Sequence, residues 1–268
     1  PRFNKYWQAY HAVMARKGVS PDFAKTVVRT NTTVIAALMV KLGDADCMLC
    51  GPVGKYRHHL DVIREIIGLK EGVTSPASLN VLSVDKGVFF FSDGYVNQNP
   101  NVQELTDVTL LASEQVRQFG LKPKVALICH SNYGTSDTPT TTKMREAVRS
   151  LHTIAPELEV DGEMHADSAL DPAIRARSYP NSKLTGSANL LIMPDIDVAN
   201  VSINLMKCMD DAQLIGPLLL GFDASAHILS TSTTVRGVYN MTAFAVVEAQ
   251  RHTHVVGNAI NFAKRAVT

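Results

Sequence analysis

Asn189-Leu-Leu-Ile-Met-Pro-Asp-Ile-Asp197 leaves little freedom in how its surroundings can fold. The short apolar run over 189–193 is closed by Pro194, which has no amide to give a ladder, so it reads as a buried strand ending there. Asp195 and Asp197 stand at the entrance of an apolar-periodic stretch carrying Val198, Val201 and Leu205. That pattern predicts a helix whose first amides are met by carboxylates, and it favours capping over an acid–base role for the pair. Strand, tight turn and helix make half of a βα unit.

The same alternation runs along the chain. Residues 3–16 place Tyr6, Trp7, Tyr10, Val13 and Met14 at helical spacing, predicting one aromatic face, and Lys17-Gly18 is the stop. Pro21 opens a second helix with Phe23, Val27 and Val28 inward, and Asn31 or Thr32 caps a third through Val34, Leu38 and Leu42. A strand over 45–50 precedes the turn Gly51-Pro-Val-Gly54 and a helix carrying Leu60, Ile63, Ile66 and Ile67. Residues 81–84 and 88–91 form a hairpin about Asp85-Lys86-Gly87. Asn101 with Glu104 spells a capping box for a helix that turns Leu105, Val108, Leu111 and Ala112 inward and stops at Gly120. A strand over 124–129 runs into the polar loop His130-Ser-Asn-Tyr-Gly-Thr-Ser136. Beyond it come a helix over 140–152, a strand over 159–164 and a helix over 167–175. A last strand over 214–220 is broken by Gly216-Pro217, and a helix over 241–251, extending toward Lys264, turns Phe244 and Val247 inward against the first unit. Strands alternating with helices argue a three-layer α/β arrangement with largely parallel sheets.

Composition excludes several classes. A formal net charge of +1 and 19% charged residues provide no global field to gather nucleic acid or an anionic membrane surface. No apolar run reaches the ~18 residues a membrane span needs, and no signal-peptide layout opens the sequence, which reads as cytoplasmic. Four cysteines are too few for a disulfide framework. Cys47 and Cys50 have the C-x-x-C spacing, but residues three apart on a strand face opposite ways and no second pair completes a metal site. His252 and His254, two apart rather than four, read as surface or interface residues.

The run from Pro180-Asn-Ser-Lys-Leu-Thr-Gly186 through Asn189 to Asn200 resembles the phosphate acetyl/butyryltransferase family. So do Ser92-Asp-Gly-Tyr-Val-Asn-Gln-Asn-Pro-Asn101, Val160-Asp-Gly-Glu-Met-His-Ala-Asp167, Ile215-Gly-Pro-Leu-Leu-Leu-Gly221 and His227-Ile-Leu-Ser230. The resemblance covers nearly the whole chain. Residues 235–250 are more similar to the phosphotransacetylase-like domain at the C-terminus of hybrid NADP-dependent malic enzymes than to free-standing transferases.

This resemblance implies two α/β subdomains, residues 1–79 with 217–268 and an inserted 80–216, with the family's ligand cleft between them. It implies a chain truncated at its N-terminus, a malic enzyme catalytic domain in cis that uses NADP and a divalent metal, and a homo-oligomer, at least a dimer. The expected ligand is acetyl-CoA, acting allosterically. Lys55, Tyr56, Arg57 and His58, with His59 beside them, cluster after a glycine turn where coenzyme A phosphates could be met, although a solvated helix start has the same composition. Ser131, Asn132, Tyr133 and Ser136 match the family's acyl-side loop, and Ser230, Thr231 and Arg236 the facing one; hydroxyl-rich loops are also ordinary turns. The family's transfer chemistry uses a Ser-Arg pair, an aspartate and further arginines. Ser230 keeps the serine, but Thr231 stands for the arginine, Gly237 for the aspartate and Asp61, whose carboxylate would repel a phosphate, for another arginine. The resemblance therefore implies an acetyl-CoA-binding regulatory domain without catalytic residues. An active phosphate acetyltransferase and a purely structural oligomerisation domain stay open as alternatives.

Overall fold

The computed structural model describes residues 2–209 and 212–265, with side chains through Arg251 except that of Met209; the side chains of His252 and His254 therefore lie outside the described residues. In chain order the elements are α1 (Arg2–Met14), α2 (Pro21–Thr30), α3 (Thr32–Lys41), β1 (Cys47–Cys50), α4 (Tyr56–Ile66), β2 (Ala77–Val84) and β3 (Gly87–Ser92). Then follow α5 (Val102–Gln118), β4 (Lys124–Ile128), α6 (Pro139–Ile154), β5 (Glu159–Met164), α7 (Ala166–Leu170), α8 (Pro172–Ser178), β6 (Leu190–Ile192), α9 (Ile196–Met209), β7 (Gln213–Leu220), β8 (Ser225–Ile228) and α10 (Val235–Arg265). Among the described residues no helix is long and apolar enough to cross a membrane.

The chain divides into two compact units, Pro1–Glu71 with Phe222–Thr268, and Gly72–Gly221. The divisions fall outside those expected at 79/80 and 216/217 because β2 and β7 pair antiparallel from Ala77↔Leu220 onward, which holds both strands in the second unit.

That second unit is a six-stranded sheet in the order β5-β4-β6-β3-β2-β7. β5, β4, β6 and β3 run parallel, and β2 pairs antiparallel with β3 and β7. The buried strand read around Asn189 is β6, wedged between β4 and β3 with all three residues buried. On one face Phe91, Ala126, Ile128, Met164, Leu191 and Met193 pack with Ala199 and Ile203 of α9. Side chains alternate across a strand, so Phe90, Leu127, Leu190 and Ile192 are buried on the opposite face, which α5 and α6 cover. Helices on both faces of the sheet give the three-layer α/β arrangement. The Asn101–Glu104 capping box opens α5, and Asp195 Oδ1 accepts from the Val198 amide at 2.8 Å.

Several local expectations change. Val198, Val201 and Leu205 face solvent, the last two more than half exposed, while Ala199 and Ile203 are the buried pair. Periodicity finds an apolar stripe on a helix but does not say which of two stripes packs inward. The helix expected over 167–175 is two, because Pro172 cannot continue α7 and instead takes the first position of α8, capped by Asp171. The strand thought broken at Gly216-Pro217 is continuous in β7: two residues of β7 oppose Asn80 where the register with β2 shifts, and a bulge has no ladder bond for proline to break.

The polar part of the Pro180–Gly186 motif is consumed in holding its own loop. Buried Arg175 donates to the carbonyls of Ser168, Ala169, Leu184 and Gly186; Asp161 accepts from the Ser182 hydroxyl and Lys183 amide; Glu159 accepts from Thr185.

In the first unit β1 and β8 form a two-stranded parallel sheet, packed by α3, α4 and α10. β8 follows the strand expected to be last. Its sequence, Ser-Ala-His-Ile, hides it from an apolar scan, yet all four residues are buried. The aromatic face of α1 is largely used internally: Tyr6, Tyr10 and Met14 are buried, and the Trp7 ring carries Lys25 Nζ 5.1 Å from its centroid. Val13 and Phe23, expected inward, are exposed, as is Val247 of α10, where Met241, Ala245 and Ala249 are buried instead.

Candidate functional site

In the first unit, two loops leave the C-terminal ends of neighbouring parallel strands, the usual place for a ligand site in an α/β sheet. β1 ends in Gly51, whose φ is +87° and whose Cα faces the next loop so closely that an added Cβ would lie 2.2 Å from the Leu229 carbonyl oxygen. Only glycine fits there. Leu229 N donates to Cys50 O at 2.7 Å, so the ladder continues to the point where both loops begin.

The first loop leads into α4, whose N-terminus has Lys55 at the cap position and no side-chain cap. A helix start concentrates partial positive charge, and uncapped amides there suit an anion. Lys55, Arg57 and His58 are exposed around it and Tyr56 is half-buried. Arg57 Nε lies 3.0 Å from Asp61 Oδ1 one turn on, so the carboxylate expected to repel a phosphate instead occupies the arginine. His58 meets Asn31 at 3.4 Å. His59 does not belong to the cationic cluster. It is buried, its Nδ1 2.8 Å from the Thr33 hydroxyl and its Nε2 2.8 Å from the Val53 carbonyl, and it fastens the glycine turn to α3.

The second loop, 230–234, is a hydroxyl cluster. Ser230 Oγ lies 3.2 Å from both Ser232 Oγ and Thr233 Oγ1, and Thr234 Oγ1 accepts from the Gly237 amide at 3.1 Å in the first turn of α10. Thr231 and Arg236 are exposed and Ser230 is half-buried. A Cβ at Gly237 would come within 2.9 Å of Thr233 Cγ2, so a side chain at this position would require Thr233 to shift. Together the two loops offer cations, hydroxyls and a helix start, a set whose chemistry suits an anion.

The residues expected on the loop after β4 belong to the second unit and are organised by Glu163, which sequence reasoning missed. Glu163 is buried and accepts from Arg145 Nε and Nη2, both at 3.1 Å, from the Ser131 hydroxyl at 3.0 Å and from the Gly134 amide at 2.7 Å. Ser131 is thus fully buried and committed to the framework rather than presented to a ligand. Asn132 Oδ1 accepts from the His165 amide at 2.8 Å. Tyr133 adopts φ +47°, stacks on Tyr179 at 4.3 Å and donates to Ser182 at 3.4 Å; burial pushes its hydroxyl up to about 12. Ser136 is half-buried and its hydroxyl meets His130 at 3.3 Å. The signal available in sequence was an acid beside a glycine at the end of a strand, which does not by itself announce a buried carboxylate.

Among the described residues no group of three or more His, Cys, Asp or Glu side chains is placed to hold a metal. Cys47 and Cys50 are free and half-buried, and burial pushes the Cys50 thiol up to about 12.

Comparison with known proteins gives a consistent picture. Residues 1–246 match the model of the family described as Phosphate acetyl/butaryl transferase. The chain is 47% identical to the NAD-dependent malic enzyme of Rhizobium meliloti, over 93% of the chain and 32% of that protein, and 45% identical to the NADP-dependent malic enzyme of Escherichia coli, over 93% and 33%. It therefore spans about a third of the length of these malic enzymes. It is also 32% identical to the phosphate acetyltransferase of Paracoccus denitrificans, over 90% of the chain and 78% of that protein. A phosphotransacetylase structure from Streptococcus pyogenes superposes with a TM-score of 0.84 at 26% identity, covering 94% of this chain and 76% of that one.

The Glu163 network generates a pH-dependent prediction. Burial alone would push the Glu163 carboxyl up, but Arg145, the Gly134 amide and the Ser131 hydroxyl outweigh it and hold it below the ordinary value of 4.5. A depressed carboxyl stabilises fully above that ordinary value and loses its contribution as pH falls through the folded one. Glu163→Gln is expected to cost about 3 kcal/mol near neutral pH, with the gap to the parent narrowing below the ordinary carboxylate range. Urea unfolding across pH measures it, and a gap unchanged in acid would remove the carboxylate from this role.

Proposed function

Because the chain belongs to the phosphate acetyl/butaryl transferase family over residues 1–246, we propose that it is the module of a cytoplasmic malic enzyme that binds acetyl-CoA without transferring the acetyl group. In this reading acetyl-CoA is an allosteric ligand, and the oxidative decarboxylation of malate, with its NADP and divalent metal, is carried by another part of the polypeptide in cis. One observation carries the reading: anion-binding groups surround the ends of β1 and β8, while the positions that resemble the transferases' arginine and aspartate hold Thr231 and Gly237. The higher identity to the Rhizobium meliloti and Escherichia coli malic enzymes than to the Paracoccus denitrificans transferase supports it.

The ligand's phosphates would be met by Lys55, Arg57 and His58 at the α4 start, and its thioester end would lie toward Ser230. Transfer would need more. Thr231 lacks the permanent charge and forked donors of a guanidinium, and Gly237 has no side chain to accept a thiol proton. Missing one positioned charge donor typically costs about 10²- to 10³-fold in rate and missing a general base about 10²- to 10⁴-fold. Both losses fall on the transition state, and binding of the ground-state ester needs neither group.

Two outcomes are expected in a calorimetric titration with acetyl-CoA. Charge-assisted hydrogen bonds contribute about 1.5–3 kcal/mol, so Arg57→Ala should weaken binding about ten- to a hundredfold. Asp61→Asn should release Arg57 and tighten binding by about two- to threefold, since an exposed ion pair contributes under about 1 kcal/mol. Unchanged affinity in a folded Arg57→Ala protein would take the α4 start out of the site.

Self-association belongs to the same proposal. With the α1 aromatics largely buried, the apolar residues that could meet a second copy include, among the described residues, the outward stripe of α9 in the second unit, Val198, Val201 and Leu205, and Val235, Val238 and Tyr239 of α10 in the first. The expected homodimer should weaken on Leu205→Glu in sedimentation velocity; a parent that stays monomeric at micromolar concentration would contradict it.

A further inference from the structure

Between β8 and α10 lies a buried polar group that the proposed site does not use. His227 of β8 is fully buried with its Nε2 3.1 Å from Glu248 Oε2 of α10, an ion pair when the imidazole is protonated. Ser225, two residues earlier on β8, lies 3.3 Å from the same nitrogen and donates to the Ala245 carbonyl of α10 at 3.1 Å. The Phe244 ring is tilted against the imidazole with centroids 5.2 Å apart. From β1, the Cys50 thiol donates to the His227 carbonyl at 3.7 Å. Burial alone would push the Glu248 carboxyl up, yet His227, the Ser225 hydroxyl and the Lys70 charge outweigh it and hold it below the ordinary range. The carboxylate is thus retained as a charge in the interior, where it is costly unless paired.

Its position suggests a use. β8 ends one residue before Leu229, the hydroxyl loop follows, and α10 begins at Val235. Ser225, His227 and Glu248 therefore tie β8, from which the loop leaves, to α10, the helix into which it runs, at a point 13 residues past Val235. Holding the helix against the strand closes the segment between them, and a closed segment leaves less freedom for binding to remove.

We infer that Glu248 and His227 are positioning residues, a staple between β8 and α10 that sets the geometry of the 230–234 loop for its ligand. The inference rests on the acetyl-CoA reading for what the loop binds, but the ordering of the loop is measurable without any ligand. The Leu229 amide bonded to Cys50, the Thr233 amide bonded to Ser230, and the Gly237 and Val238 amides bonded to Thr234 report it directly.

The experiment is hydrogen exchange on the intact protein without ligand, followed by calorimetric titration with acetyl-CoA. Glu248→Ala removes the carboxylate. Glu248→Gln keeps the shape and an acceptor oxygen, and is read as well in case the alanine variant does not fold. Exchange at these loop amides is expected to rise at least tenfold in Glu248→Ala and less in Glu248→Gln, with the amides of α4 and β4 unchanged and acetyl-CoA affinity falling at least tenfold. Loop exchange within twofold of the parent would overturn the staple, and so would an equal rise in α4, since that would make the pair a general stabiliser of the unit. If the parent binds no acetyl-CoA, the ligand reading fails while loop exchange still decides the staple.

Discussion

The pairing of β1 with β8 is the contact on which the candidate site depends. Cys50 and His227 stand 177 positions apart in sequence, yet the two strands share one parallel ladder. Because the ladder is parallel, both following loops emerge at the same end, bringing a cationic helix start beside a hydroxyl cluster. The approach is so close at Gly51 that any side chain there would strike the Leu229 carbonyl. A two-stranded sheet is weak by itself, and here α3, α4 and α10 pack against it. His59 bolts the first loop to α3, and the second is slung between a strand and a helix joined by buried charge.

Much of the second unit was legible from local chemistry. The capping box at Asn101 and Glu104, the Asp195 cap and the buried strand before Pro194 each depend on a few consecutive residues, so the sequence pattern and the geometry coincide. Family resemblance added the larger layout, which propensity alone does not supply. Other features were hidden for physical reasons. Polar residues inside β8 obscured a buried strand, and Pro172 was passed over as a helix start within a continuous-looking period. Ala199 and Ile203 form a second stripe on α9, whose inward face only packing decides.

The candidate site shows the same limit more sharply. Lys55 and Arg57 are readable as cations after a strand end, whereas Ser230, Thr231 and Arg236 are reached only through family resemblance because β8 is hidden; in the structure both groups follow strands of one ladder. What sequence could not give was the partner of each group. Ser131 looks like a ligand serine until Glu163 is seen accepting from it, and His59 looks like one of four neighbouring cations until Thr33 and Val53 are seen around it. Asp61 reads locally as an isolated carboxylate until its pairing with Arg57, one turn away, is seen. Hydrogen-bond partners distant in sequence decide whether a polar side chain is framework or surface, and no local pattern encodes them.

The central claim is that this family member keeps the acyl-CoA-binding chemistry and has lost the transfer. The most direct measurement is formation of acetyl-CoA from acetyl phosphate and coenzyme A by the intact protein, at concentrations that saturate the site in an acetyl-CoA titration. With Thr231 and Gly237 in place of a guanidinium and a carboxylate, no turnover above the uncatalysed background is predicted. Robust turnover would contradict the claim and establish a working acetyltransferase.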